Sequence, residues 1–276
     1  MTTYNIVIFG ETGAGKSSLV NLITGQSVAK VSPDVTECTT DIDNHTYTRG
    51  SVEYDLWDTP GLKEPRSKLD DQAPAMTEAY RLMRLLRDRG GANLLVHCIS
   101  GVKDIQAPSV PPSALQSHYR LFHDILFANV PIVIVITHLD SRQRREEWWE
   151  RNEEMLRRLE VSFADHACVT ALPRISTPNA TELEESAEDA RALLAHCSQN
   201  SHWKLSAVWK QLGLSKEVAR SMASVAFSKW NAPSVSGYIM ASKLVACCGL
   251  EEDEALDLAG RMKAARQPQL RPGNDS

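Results

Sequence analysis

Apolar runs of strand length alternate with helical patterns along most of this chain. Pro131-Ile132-Val133-Ile134-Val135-Ile136 is hydrophobic at successive positions, as a strand covered on both faces of a parallel sheet requires. Tyr4 to Phe9 and Asn93 to Ser100 read as further buried strands. Between these runs the spacing becomes helical. Ser18 to Ile23 ends at Gly25, and Met76-Tyr80-Met83-Leu86 runs to about Arg89 before Gly90-Gly91. Leu115, Tyr119, Phe122 and Leu126 share a face within Ser113 to Phe127, and Arg142 to Leu159 forms a charged helix. This alternation predicts an α/β fold with a mostly parallel central sheet. Ile42 to Thr48 and Val52 to Trp57, joined at Arg49-Gly50-Ser51, predict a hairpin that supplies one antiparallel edge strand.

Phe163 to Leu172 reads as the last strand, and Asn179 to about Cys197 as a helix capped by Thr181 or Asn179. Beyond it the strand signal stops. Leu205 to Leu212, Ser215 to Trp230, Ser236 to Cys248 and Glu251 to Ala265 read as short helices, broken by Gly213, Asn231-Ala232-Pro233 and Gly249. The predicted organisation is an α/β domain over 1–197, a C-terminal α-helical extension over 198–266 and a disordered polar tail over 267–276.

Composition changes this picture little. The 276 residues are 42% hydrophobic and 24% charged, enough for one sizeable core and a small appended unit. A net charge of -5 gives no bulk electrostatic reason to expect nucleic acid or an anionic membrane as partner. No apolar stretch approaches the roughly 20 residues that cross a bilayer. The six cysteines show neither paired C-x-x-C spacing nor a zinc-like histidine cluster, and a reducing, cytoplasmic location is expected.

Candidate chemistry begins directly behind the first strand, at Gly10-Glu11-Thr12-Gly13-Ala14-Gly15-Lys16-Ser17. The glycines let the chain wrap so that backbone N–H groups from Glu11 through Ser18 converge on a phosphate. Lys16 reaches the terminal phosphates, and the Ser17 hydroxyl suits magnesium. A helix N-terminus behind the loop adds partial positive charge. A glycine cluster alone signals only a tight turn; the strand before it and the amphipathic helix after it make this a P-loop.

The loop Ser32 to Asp41 occupies the place where nucleotide switches carry a threonine that closes over magnesium and the terminal phosphate; Thr39 is the first candidate and Thr40 the second. Asp58-Thr59-Pro60-Gly61-Leu62 ends the second hairpin strand. Asp58 can support the metal, and the Gly61 N–H can donate to a γ-phosphate. Leu62 is apolar and cannot orient a water. Thr137-His138-Leu139-Asp140 closes the central strand at its carboxyl end, where open α/β sheets bind ligands. A carboxylate at 140 can accept two hydrogen bonds from guanine, or it can cap the next helix. Thr170-Ala171-Leu172 can place a backbone N–H beside the base. His97 reads as a core histidine. Of Trp148 and Trp149, adjacent on one helix, one is expected to pack while the other remains available to a partner.

In this order the motifs resemble those of the GTP-binding G domain of P-loop NTPases, closest to the septin-like branch with the immunity-associated and chloroplast-import GTPases and related fungal proteins. The resemblance covers about residues 4 to 197. It implies a three-layer P-loop fold, GTP or GDP with Mg2+ as ligands, and slow GTP hydrolysis as a molecular switch. Lys16, Thr39 and Gly61 would serve catalysis, and Ser17, Thr39 and Asp58 the metal. Two departures stand out: His138 replaces the lysine usual in the guanine motif, and Leu62 replaces the water-orienting glutamine of Ras-type enzymes. The implied partners are a guanine nucleotide and either a nucleotide-dependent homodimer or an activating protein. A dimerisation or scaffold module with little hydrolysis is the competing expectation, and a P-loop ATPase or kinase a third.

Overall fold

The computed structural model describes residues 1–31, 41–63, 69–102, 114–127, 130–171, 180–198, 241, 244 and 252–264. Six strands form one sheet in the order β2-β3-β1-β4-β5-β6. They are β1 (Thr2–Gly10), β2 (Asp43–Arg49), β3 (Val52–Asp58), β4 (Leu94–Ser100), β5 (Ile132–Thr137) and β6 (His166–Cys168). Only the β2–β3 pair is antiparallel; β1 pairs in parallel with β3 and β4, and β5 with β4 and β6. The predicted hairpin and edge strand are therefore present. β6 is shorter than the expected Phe163 to Leu172: its last ladder bond runs from the Val169 N–H to Ile136 O, close to where β5 ends at Thr137, and the Thr170 N–H goes to the Ser186 hydroxyl at 3.0 Å.

The sheet is covered on both faces. Alternate residues of β5 show why: Val133 and Val135 join the cluster of Leu19, Ile23, Ala190 and Leu194, whereas Ile134 and Ile136 pack with Leu139, Trp148 and Leu156. Helices α1 (Lys16–Thr24) and α5 (Ala180–Ser198) thus lie on one face. Helix α4 (Arg142–Arg158) lies on the other, with α2 (Leu69–Arg87) and α3 (Ala114–Tyr119) also on that side through a shared core with Val7, Phe9 and Leu95. Helix α2 begins at Leu69, ahead of the expected apolar stripe that starts at Met76. The helix expected over Ser113 to Phe127 changes pitch: Arg120–Leu126 is π-helical, and the Phe127 N–H reaches Phe122 O at 2.8 Å.

His97 is a core residue as expected, stacked on Phe9 with ring centroids 4.6 Å apart. From the C-terminal region, helix α6 (Glu252–Ala264) matches the expected Glu251 to Ala265, and its Ala255, Leu258, Ala259 and Met262 are buried in the same cluster as Met76, Ala79 and Leu82 of α2. This helix closes part of the main core. The helices expected over Leu205 to Leu212 and Ser215 to Trp230 lie outside the described residues.

Candidate functional site

The P-loop joins the carboxyl end of β1 to the first residue of α1, so its shape follows from two fixed ends. Gly13 and Gly15 take positive φ (77° and 78°), which L side chains rarely adopt. Gly15 has a second reason to be glycine: a Cβ there would lie 2.8 Å from Thr137 Oγ1. Thr137, fully buried, reaches Ala14 O at 2.8 Å and Ile99 O at 3.2 Å, tying the end of β5 to the loop. Lys16 is buried and curls back along the loop, donating to Glu11 O at 3.0 Å and Gly10 O at 3.3 Å. The shape of the loop is therefore fixed by its own lysine and by β5.

Asp58 ends β3 beside β1 and meets the start of α1. Its Oδ2 accepts the Ser17 hydroxyl at 2.6 Å, while its Oδ1 is buried with no hydrogen-bond partner. Burial pushes the Asp58 carboxyl up to about 6, with Lys16 and the Ser17 bond acting against that shift. A buried, orphaned carboxylate oxygen beside a serine hydroxyl at the mouth of a phosphate cradle is a donor set suited to a hard cation. Ser17 and Asp58 thus fit magnesium.

The segment after Asp58 lies directly against the P-loop. Leu62 N–H donates to Gly10 O at 3.1 Å, and Leu62 O accepts from Thr12 N–H at 3.0 Å. Gly61 has no room for a side chain, since a Cβ would sit 2.5 Å from Thr12 Oγ1 and 2.6 Å from Thr12 Cα. The Leu62 side chain is buried in the α2-side core with Phe9 and Trp57. Leu62 is therefore an anchor for this segment, a role its apolar character in the sequence does not by itself reveal. The next carbonyl, Lys63 O, lies 3.2 Å from His118 Nε2, and burial holds the His118 imidazole down at about 4.

Just beyond the carboxyl end of β5, His138 has a left-handed φ of 60° and places Nδ1 3.0 Å from Ser100 Oγ. Burial lowers its pKa, which favours the neutral ring. Asp140 is exposed and pairs with Arg144 at 3.4 Å. It does not cap α4: Ser141 does, accepting from Arg144 N at 3.4 Å. Of the two roles open to Asp140 in the sequence, the cap is thus taken by its neighbour.

The Thr170-Ala171 turn comes beside this motif through the Leu139 N–H, 3.5 Å from Val169 O. Thr170 and Ala171 are buried, and two residues that sequence reasoning missed hold them. Arg145, buried on α4, donates to Thr170 Oγ1 at 3.3 Å, to Glu182 O at 3.0 Å and to the Ser186 hydroxyl. Ser186 Oγ also accepts the Thr170 N–H. Arg145 looked like one of many arginines on a mixed-charge helix; only its burial separates it from them. Thr39, Thr40 and Leu172 lie outside the described residues.

Residues 5–138 match the family model described as 50S ribosome-binding GTPase. A curated relative, the GTPase Era of Clostridioides difficile (strain 630), is 23% identical over 146 residues, or 52% of this chain and 43% of that protein. The chain spans less than half the length of the first curated relatives that it matches. Among solved structures, Era in complex with MgGDPNP and nucleotides 1506–1542 of 16S ribosomal RNA aligns with a TM-score of 0.52 at 16% identity, over 74% of this chain and 58% of that one. The chloroplast translocon components atToc33 and psToc159, whose dimerization is important for their GTPase activity, align with a TM-score of 0.51 at 18% identity, over 73% of this chain and 85% of theirs. Six strands in this order, a P-loop behind β1 and these likenesses together place the chain on the fold of the P-loop GTPase G domain.

Proposed function

We propose that this protein binds a guanine nucleotide with magnesium and hydrolyses GTP to GDP and phosphate, slowly as an isolated chain, acting as a molecular switch. The observation that carries this reading is the orphaned Asp58 Oδ1 beside Ser17 at the mouth of the P-loop. Water attacks the γ-phosphorus, the bond to the β,γ-bridging oxygen breaks, and GDP leaves with the negative charge. Lys16 and the P-loop N–H groups stabilise that charge. Magnesium, when bound, neutralises charge on the phosphates; Ser17, Thr39 and Asp58 would hold it. Asp140 and the Thr170-Ala171-Leu172 turn take the base, with His138 packing where a lysine usually lies.

Leu62 is buried in the core, so the water-orienting group comes from a second copy of the chain or from an activating protein. The likeness to atToc33 and psToc159 supports the second copy, and with it the placement near the septin-like and chloroplast-import branch. We assign nucleotide binding to residues 1–197, with 198–266 as a helical extension.

The test is a titration of GTP, GDP and ATP with magnesium against the native chain and Lys16→Ala. Guanine nucleotides are expected to bind, ATP to bind more weakly, and Lys16→Ala to lose all of them; tighter ATP binding would sink the assignment. Single-turnover hydrolysis across protein concentrations then separates enzyme from scaffold. A rate equal to the uncatalysed one at every concentration leaves only nucleotide-dependent assembly.

A further inference from the structure

The edge of the sheet opposite the β2–β3 hairpin carries a second feature, unrelated to phosphate chemistry. β6 forms that edge, with α4 over one face and α5 over the other. Both helices overhang it, leaving a groove of about 760 Å3 whose floor includes Ala167, Ala192 and Leu193. The ladder bonds from Ile134 N to Asp165 O and from Val169 N to Ile136 O fix the register so that the backbone of Ala167 faces β5. His166 and Cys168 then face outward. Asp165 Oδ1 takes the His166 N–H at 2.8 Å; among the described residues no strand pairs with the outward Cys168 N–H, Cys168 C=O or His166 C=O.

Charge gives this edge a direction of preference. Five carboxylates line the groove, Glu146 and Glu150 from α4, Asp165 beside β6, and Glu185 and Asp189 from α5, against two guanidinium groups. Both guanidiniums are already used, Arg142 by Glu146 at 2.9 Å and Arg145 by Glu185 at 3.2 Å. Among the described residues neither Glu150 nor Asp189 has a cation within ion-pair distance, although Arg145 and Arg142 act on Asp189 from farther off. The Trp149 ring lies flat on His166, with centroids 3.5 Å apart and planes 7° from parallel, and offers an aromatic wall. Burial lowers the His166 pKa against the pull of Asp165 and Glu153, which favours the neutral ring.

We propose that this groove docks an extended, basic segment of a partner protein, which adds as a strand to β6 and sets lysines or arginines against Glu150 and Asp189. Main-chain bonds to Cys168 and His166 supply the pairing, and the unpaired carboxylates select the sign of the side chains. The inference does not depend on nucleotide binding.

A displayed library of random dodecapeptides panned on the native chain, with Glu150→Lys/Asp189→Lys as counter-selection, tests it. Enriched peptides are expected to alternate Lys or Arg with apolar residues, and a synthetic copy to bind at least tenfold more weakly to the double variant. N-methylation at alternate peptide bonds, which removes strand pairing but keeps charge, should weaken it comparably. Hydrogen exchange should slow at Cys168 on binding, and matching melting curves for native chain and double variant verify that the fold is retained. No enrichment, equal binding to both proteins, or indifference to N-methylation would overturn the proposal. So would self-association of the native chain that disappears in the double variant, since the occupant would then be a second copy.

Discussion

The two ends of the candidate nucleotide cleft are built differently. At the phosphate end, residues close in sequence close on one another: Lys16 bonds back to Gly10 and Glu11 within the same loop. At the base end, the Thr170-Ala171 turn owes its position to Arg145 and Ser186, from two helices on opposite faces of the sheet. A local loop written as one motif can be read in advance. A turn held by remote side chains cannot, and it is also where substitutions from outside the motif should act.

The largest expected effect tests the local end. Gly15→Val meets Thr137 Oγ1 and demands a left-handed φ from a β-branched residue, which costs on the order of 3 kcal/mol or more. Nucleotide affinity by fluorescence titration is expected to fall by about two orders of magnitude. Binding within a few-fold of native would show that the loop is less constrained than its geometry.

Asp58→Asn comes next, and its sign depends on pH. The Asp58 carboxyl titrates at about 6 in the folded chain against 3.8 unfolded, so the stability it contributes is fully present below 3.8 and is lost as pH rises through about 6. Without metal and nucleotide, the charged carboxylate therefore disfavours folding at neutral pH by about 3 kcal/mol. Thermal melting should show the asparagine variant more stable than native at pH 7.5 and no such gain near pH 3.5. Magnesium should stop enhancing nucleotide binding in the variant; an undiminished magnesium effect would place the metal elsewhere.

Arg145→Met probes the tertiary end. Removing the buried guanidinium leaves Thr170 Oγ1 and Glu182 O without their donor, and about 2 kcal/mol of stability should go with it. Guanine affinity should drop about tenfold while phosphate-end contacts persist, so that the preference for GTP over ATP narrows. If the preference is unchanged, the base end is as local as the phosphate end. The smallest effect is expected from His138→Lys, which restores the residue usual in the resembling motif and should tighten GDP binding by a few-fold in isothermal titration.

Much of the fold was legible because its signals are short-range. The run Pro131 to Ile136 could only be a doubly covered strand, and the Arg49-Gly50-Ser51 connection fixed the antiparallel pair. The first turn of α2, Leu69 to Gln72, carries no apolar stripe, so periodicity does not mark it as helix. β6 came out short because its partner β5 ends at Thr137, where His138 takes a left-handed φ, so beyond Val169 there is no strand left to pair with. Of the two adjacent tryptophans, Trp148 is the one that packs in the core; Trp149 stacks on His166 at the sheet edge, a partner 17 positions away that no periodicity points to.

The sequence by itself determined the P-loop, its lysine and serine, the carboxylate at the end of β3 and the glycine after it, because backbone geometry around a phosphate admits few residue types at that spacing. The tertiary structure alone decided three things. It sent Leu62 into the core, where packing outweighs any contact with the cleft. It singled out Arg145 among the arginines of α4 by burying it against α5. It left the acid-lined groove beside β6, since an open sheet edge exists only once strand order is set.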